Sequence, residues 1–218
     1  MPKVSKMYLE VDPFKIIEKG FNKERAQVSE SIFSLGNEYS GIRGFFDEGY
    51  SGESLKGSYF SGIYEYALSD TPNAYKGIIK RTHFTINSVN WVKCKIKVDD
   101  EVLDLYESNF SNFYRELDMK SGLYTRTFTW NTKKGDIKLT FYRLMNMNYC
   151  HECIQKITFE SNKDLTLDLT LSLDNNVLHW NSDCYYKRDN EFNDVDVYGL
   201  SVKTLTTKQS LVSVMKVD

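Results

Sequence analysis

From about Lys80 onward the pattern is that of strands, with apolar and polar side chains alternating in short runs, and this period of two most restricts the fold. Leu165-Thr-Leu-Asp-Leu-Thr-Leu-Ser-Leu173 alternates without a fault for nine residues. Successive strand side chains point to opposite faces, so such a run reads as a strand with one buried and one wet face. Val92-Lys-Cys-Lys-Ile-Lys-Val98 repeats the pattern, Asp99-Asp100 turns it, and Val102-Leu-Asp-Leu105 returns. Tyr114–Met119 reads as a short connecting strand. In Leu123-Tyr-Thr-Arg-Thr-Phe-Thr-Trp130, one face carries Tyr124, Arg126, Phe128 and Trp130 and the other carries Leu123 and three threonines. Lys133-Lys-Gly-Asp136 leads into Ile137–Arg143, a further strand runs from Cys150 to Phe159, and Ser161–Asp164 turns into the Leu165 run. Gly199–Leu205 and Leu211–Met215 are the last strands. Helical periodicity is nearly absent; a short helix or turn is expected only around Pro13–Gly20. Many strands with short polar turns predict an all-β chain, a large antiparallel β-sandwich.

Before the strands lies a stretch of different character, Glu30 to Glu65. It holds seven of the twelve glycines: Gly36, Gly41, Gly44, Gly49, Gly52, Gly57 and Gly62. Phe33, Tyr39, Phe45, Phe46, Tyr50, Tyr59, Phe60 and Tyr64 are interleaved with them. Glycine admits backbone angles and close approaches that other residues resist. The stretch therefore reads as an ordered excursion held by aromatic packing, or else as a long surface loop. Ser69–Asn73 is a turn cluster.

Charge excludes some partners. With 28 basic and 30 acidic residues the net charge is −2, so no field favours nucleic acid or an anionic membrane. No apolar run reaches the length of a membrane span, and Met1–Lys6 lacks a signal-peptide core, so a cytoplasmic location is the expectation. The four cysteines, Cys94, Cys150, Cys153 and Cys184, are expected to be free thiols.

The search for chemistry gives little. Cys150-His-Glu-Cys153 has the spacing of redox and zinc sites. Placed in a strand, however, the two cysteines would face opposite ways, and no second pair completes a ligand set. His83, His151 and His179 could serve a sugar-epimerising sandwich if two of them met a carboxylate. Asp47-Glu48 and Asp99-Asp100 read as solvated turn residues. No nucleophile elbow, phosphate loop or dinucleotide fingerprint is present, and no cofactor or metal is expected.

Several motifs do carry a resemblance. Glu30-Ser-Ile-Phe-Ser-Leu-Gly-Asn37, Gly41-Ile-Arg-Gly44, Tyr59-Phe-Ser-Gly-Ile-Tyr-Glu65, Asn90-Trp91 and Arg115-Glu-Leu-Asp-Met-Lys-Ser-Gly-Leu-Tyr-Thr-Arg126 occur in this order. Together, over residues 12 to 175, they closely resemble the opening of glycoside hydrolase family 65, the maltose, trehalose and kojibiose phosphorylases and related hydrolases. The resemblance implies a single N-terminal domain over 1–218, a galactose-mutarotase-like super-sandwich. It would precede an (α/α)6 barrel in the same polypeptide, and that barrel would hold the general acid and the phosphate site. The strand-like ending, Val214–Asp218, fits an excised domain. The reaction so implied is inverting, one acid protonating the leaving oxygen while phosphate or water attacks from the other face.

The expected function is thus a non-catalytic domain packing on the missing barrel of an enzyme with a disaccharide substrate, with a homodimer left open. Asn37, Arg43, Tyr59 and Tyr64 are its candidate interdomain or substrate-side contacts. Alternatives are an independent carbohydrate-binding module using exposed Tyr and Trp, or an epimerase-like enzyme. Leu35-Gly-Asn-Glu-Tyr-Ser-Gly41 departs from the family's L-G-N-G-Y-L-G at Glu38 and Ser40, and Phe45 and Ser61 stand where asparagine is common.

Overall fold

Alternating sequence becomes antiparallel pairing in the computed structural model, which describes residues 8–68, 81–178 and 184–218. In chain order the first elements are β1 (Leu9–Val11), β2 (Lys15–Lys19), a 3-10 turn (Lys23–Arg25), α1 (Ala26–Ile32), β3 (Leu35–Gly36) and β4 (Ser40–Ile42). Then come β5 (Ser58–Phe60), β6 (Tyr64–Leu68), β7 (Arg81–Thr85), β8 (Cys94–Val98) and β9 (Glu101–Val102). Next are the long strands β10 (Phe110–Asp118), β11 (Leu123–Asn131), β12 (Asp136–Met145) and β13 (Cys153–Ser161). β14 (Leu167–Leu171), β15 (Tyr186–Asp194), β16 (Val197–Thr204) and β17 (Ser210–Lys216) complete the chain. Two compact units result: Met1–Lys56 with Val92–Leu171, and Gly57–Trp91 with Ser172–Asp218.

The first unit is a two-sheet sandwich. A six-stranded sheet in the order β1-β2-β10-β11-β12-β13 covers a three-stranded sheet, β14-β8-β9. β11 alternates as its sequence demands, with Tyr124, Arg126, Phe128 and Trp130 buried and the residues between them half-buried. Ile137, Leu139 and Phe141 of β12 join Cys94, Ile96 and Val98 of β8 in one core cluster. Phe113, Phe128 and Phe141 stack across three strands at centroid distances of 6.3 and 6.0 Å. Removing this much aromatic area from water is the main favourable term available to such a sheet.

Local expectations are corrected in four places. Pro13–Gly20 contains no helix: Ile16 and Ile17 sit in β2, which pairs with β10, and Gly20 at φ +77° ends the strand. Among the described residues the one α-helix, α1, falls where no strong periodicity marked it. It follows the 3-10 turn capped by Asn22, whose side chain accepts from Glu24 N at 2.9 Å, and it buries Ala26, Ser29 and Glu30. The faultless Leu165–Leu173 run forms a strand only over Leu167–Leu171, because its partner β8 offers five residues of register, Cys94–Val98. Cys150 and His151 lie in the turn before β13 rather than within a strand. The Ser69–Asn73 turn cluster and His179 fall outside the described residues.

The second unit has its own core of Ile86, Val89, Tyr186, Leu200, Val202 and Leu211. β15, β16 and β17 form an antiparallel meander, and β6 pairs with β7. β15 escaped the sequence reading because nearly all of it is exposed and polar, with no buried face to impose alternation.

The glycine-aromatic stretch is not a surface loop in the first unit. Phe33, Phe45, Phe46 and Tyr50 are buried, with Phe21, Phe46 and Tyr50 meeting edge to face. Gly44 shows why glycine is needed: a Cβ there would lie 2.7 Å from Phe33 Cβ and 2.9 Å from the Phe33 carbonyl oxygen. Its N–H donates to the Glu30 carbonyl at 2.7 Å, so the backbone cannot back away without losing that bond. Gly44→Ala is therefore expected to destabilise the chain by about 1–3 kcal/mol, read as a lowered urea midpoint at unchanged slope; an unchanged midpoint would refute the close-approach account.

Candidate functional site

Period two places Arg126 among aromatic residues, and two neighbouring strands do the same with Arg115 and Arg143. Arg115 on β10 lies opposite Arg126 on β11, and Arg143 on β12 lies opposite Tyr124. All three side chains are fully buried. A buried guanidinium requires carboxylates and full hydrogen bonding. Glu18 on β2, directly opposite Arg115, pairs with its Nε. The other two carboxylates come from the segment after Gly44. Glu48 receives Arg126 Nη1 at 2.7 Å and Nη2 at 2.5 Å. Asp47 receives Arg143 Nε at 3.0 Å and Nη2 at 2.7 Å, Arg126 Nη2 at 3.1 Å and Gln155 Nε2 at 2.6 Å.

Asp47 and Glu48 are thus not solvated turn residues. Their relative exposures of 1% and 7% overturn that reading, and the reason is the arginine pair beneath them. Three guanidinium groups face three carboxylates, so the network is neutral. Backbone carbonyls are used as well: Arg143 Nη1 donates to Arg43 O at 3.1 Å, Arg143 Nη2 donates to Phe45 O, and Arg115 Nη1 reaches Gly44 O at 3.5 Å. Arg126 Nε and Arg115 Nη2 have no hydrogen-bond partner. Aromatic faces cover those guanidinium groups instead, with Phe141 at 4.1 Å from Arg126 and Phe33 at 4.7 Å from Arg115.

The charges are set by this contact. Burial alone would raise the Asp47 carboxyl, but Arg143 and Arg126 outweigh it and hold it below its ordinary value of 3.8. Burial likewise works against charge on Arg126, and Glu48 outweighs it and raises the guanidinium above its usual range. Glu30, which binds Ser54 Oγ at 2.7 Å and the Leu55 N–H, is pushed up by burial.

The four sequence candidates fall into different surroundings. Asn37 is a bracket: its Oδ1 accepts from Tyr39 N at 3.0 Å and Ser40 N at 2.8 Å, while its Nδ2 donates to Asn146 O and Cys150 O at 2.8 and 2.9 Å. Arg43 donates to Ser31 Oγ at 3.0 Å from a half-buried position. Tyr59 and Tyr64 belong to the second unit. Tyr59 is half-buried, and Tyr64 keeps 40% of its surface and packs on His83 at 5.4 Å. His83 and His151 each pack on tyrosines, His151 on Tyr39 at 4.1 Å. Trp130 is buried, so it offers no stacking platform. Among the described residues no three of His, Cys, Asp and Glu gather in a way that could hold a metal ion.

The motifs that run through this network also decide the family. A sequence model described as "Glycosyl hydrolase family 65, N-terminal domain" matches residues 16–218. The chain belongs to this family. Maltose phosphorylase of Bacillus subtilis (strain 168) is 30% identical over 185 residues, covering 82% of this chain and 24% of that protein. Alpha,alpha-trehalose phosphorylase of Thermoanaerobacter brockii is 31% identical over 153 residues, 68% of this chain and 20% of that protein. A solved structure named "Putative kojibiose phosphorylase from human microbiome" superposes with a TM-score of 0.93 at 57% identity, covering 98% of this chain and 28% of that one. The chain thus spans 20% to 28% of the length of these relatives.

Within the family-65 chain, the R-E-L-D-M motif and its following Arg126 supply two of the three buried arginines, and the segment just after the Glu30–Gly44 motif supplies Asp47 and Glu48, which Arg126 holds. Sequence reasoning placed Arg126 on one face with Tyr124, Phe128 and Trp130 but did not find its partners, which lie 78 and 79 residues away. The usable signal was the arginine itself, since a charge on an apolar face demands a buried countercharge.

Arg126→Met leaves Glu48 buried without a partner and is expected to cost about 3–5 kcal/mol, measured by urea unfolding; a loss below ~1 kcal/mol would contradict the network's structural role. Asp47 titrates lower when folded than unfolded, so its contribution is present above its unfolded value and lost as pH falls through the folded one. Asp47→Asn is expected to lower the melting temperature at pH 7 and to flatten its decline below pH 4, a comparison that melts across pH 3–7 will decide.

Proposed function

We propose that this chain serves as the non-catalytic N-terminal domain of a family-65 disaccharide phosphorylase, acting as one domain over residues 1–218. The observation that carries this reading is the fate of its charged core. The arginines and acids gathered in the first unit neutralise one another below the surface, and Asp47 and Glu48 meet arginine rather than solvent or a cleft. A general acid needs access to the bond it protonates, and these groups have none. Roughly three quarters of each relative lies outside the matched region, which is 24% of maltose phosphorylase and 28% of the solved structure, leaving room for a catalytic barrel in the same polypeptide.

In this reading the sandwich packs on that barrel and supports a homodimer in the cytoplasm, while the disaccharide and phosphate bind the barrel. Kojibiose is the disaccharide to favour, because 57% identity ties the chain more closely to a protein so named than 30% ties it to maltose phosphorylase. Tyr64 keeps the exposure an outward contact needs, Arg43 is half-buried, and Asn37 holds its own turn together.

The test is phosphate-dependent release of glucose 1-phosphate from kojibiose, maltose and trehalose. The 218-residue chain is expected to give none, and the same chain joined to its barrel is expected to turn over kojibiose fastest. Turnover by the 218 residues alone would overturn the proposal.

A further inference from the structure

The C-x-x-C motif, which the proposed function does not use, sits against the family's own signature turn. Cys150 and His151 occupy the turn between β12 and β13, and Cys153 opens β13. Cys150 is half-buried, and its Sγ lies 3.5 Å from His151 Nδ1. The Cys153 thiol lies 3.8 Å from Ser40 Oγ, where burial pushes its titration up. Three further contacts close the same joint: the Cys150 carbonyl accepts from Asn37 Nδ2 at 2.9 Å, Asn146 O accepts from that nitrogen at 2.8 Å, and the His151 ring packs on Tyr39 at 4.1 Å. The Asn37–Ser40 turn and the Cys150–Cys153 turn therefore form one unit of structure. Cys94, by contrast, is buried in the core with its thiol pushed up by burial.

We propose that Cys150 is a modification site for low-molecular-weight disulfides and that Cys153 is its resolving thiol. His151 Nδ1 takes the Cys150 proton, and the thiolate attacks one sulfur of a glutathione-type disulfide. A Cys150–glutathione bond forms, the small disulfide's S–S bond breaks, and one glutathione thiolate leaves. Cys153 gives its proton to solvent and attacks the Cys150 sulfur, forming the Cys150–Cys153 bond and releasing the second glutathione thiolate. The cysteine pair is oxidised by two electrons and the glutathione disulfide is reduced to two thiols. Closing that ring draws Cys153 from Ser40 and shifts the carbonyl that Asn37 holds, so oxidation acts on the signature turn itself.

Incubation of the 218-residue chain with millimolar glutathione disulfide, acid quenching and intact-mass analysis test this. The wild-type chain is expected to lose about 2 Da, and Cys153→Ser to gain about 305 Da, mapped by peptide digestion to Cys150. Cys150→Ser is expected to lose the fast reaction while its circular dichroism and melting remain those of wild type. His151→Ala is expected to slow adduct formation on the Cys153→Ser background roughly fivefold at pH 7. A wild-type chain that stays unmodified, an adduct mapped to Cys184 instead of Cys150, or a Cys150→Ser chain that reacts as fast as wild type would overturn the proposal. An undiminished rate in His151→Ala would overturn the part given to His151.

Discussion

Arg126 held between Glu48 and Asp47 is the contact on which the rest of the first unit depends. In a low-dielectric interior an unpaired charge is far costlier than the same charge in water, so the guanidinium and its carboxylates must stay together. That requirement binds the chain just after Gly44 to the middle of β11. Arg143 repeats the constraint from β12 by gripping Asp47 with two nitrogens, and Arg115 repeats it from β10 through Glu18. Three adjacent strands and one irregular segment thereby share a single electrostatic solution.

The aromatic residues complete that solution. Phe46, Phe128 and Phe141 lie over Arg126, and Phe45 and Tyr124 lie beside Arg143, so the planar cations are packed as well as paired. Net charge inside the layer is balanced, which allows it to sit beneath a sheet without water. The same closure keeps Asp47 and Glu48 paired with arginine and out of solvent. The chain matches the family-65 N-terminal domain over residues 16–218, and the matched region is 20% of trehalose phosphorylase.

Much of the fold was legible in the sequence because a sheet with one buried face imposes period two on its strands. β11, β12 and β16 followed that rule, and Gly135 and Asp99 took the positive φ that their turns required. Where no face is buried the rule has nothing to act on, and β15 was invisible for that reason. Where a partner strand is short, as β8 is for β14, alternation outlasts the ladder. Pro13–Gly20 showed the opposite error: two adjacent isoleucines suited a helix locally, and pairing with β10 decided for a strand. The candidate site was less legible still. Asn37, Arg43, Tyr59 and Tyr64 were singled out as interdomain or substrate-side contacts; within this chain Asn37 also bonds to its own turn and to the turn after β12.

The sequence by itself determined an all-β chain of antiparallel strands, the glycine-aromatic stretch as its irregular part, and the family through motifs in a fixed order. The first two are properties of residue spacing within one chain segment, and the family lies in the order of short motifs along the chain. Only the tertiary structure decided that Asp47 and Glu48 are buried, that Arg115, Arg126 and Arg143 are their counterpart with Glu18, and that the stretch is core rather than loop. Those outcomes join residues from 71 to 108 positions apart, and a countercharge that distant leaves no periodic trace. Burial of charge is a property of the assembled sheets, because only their closure removes the water that would otherwise have solvated each group alone.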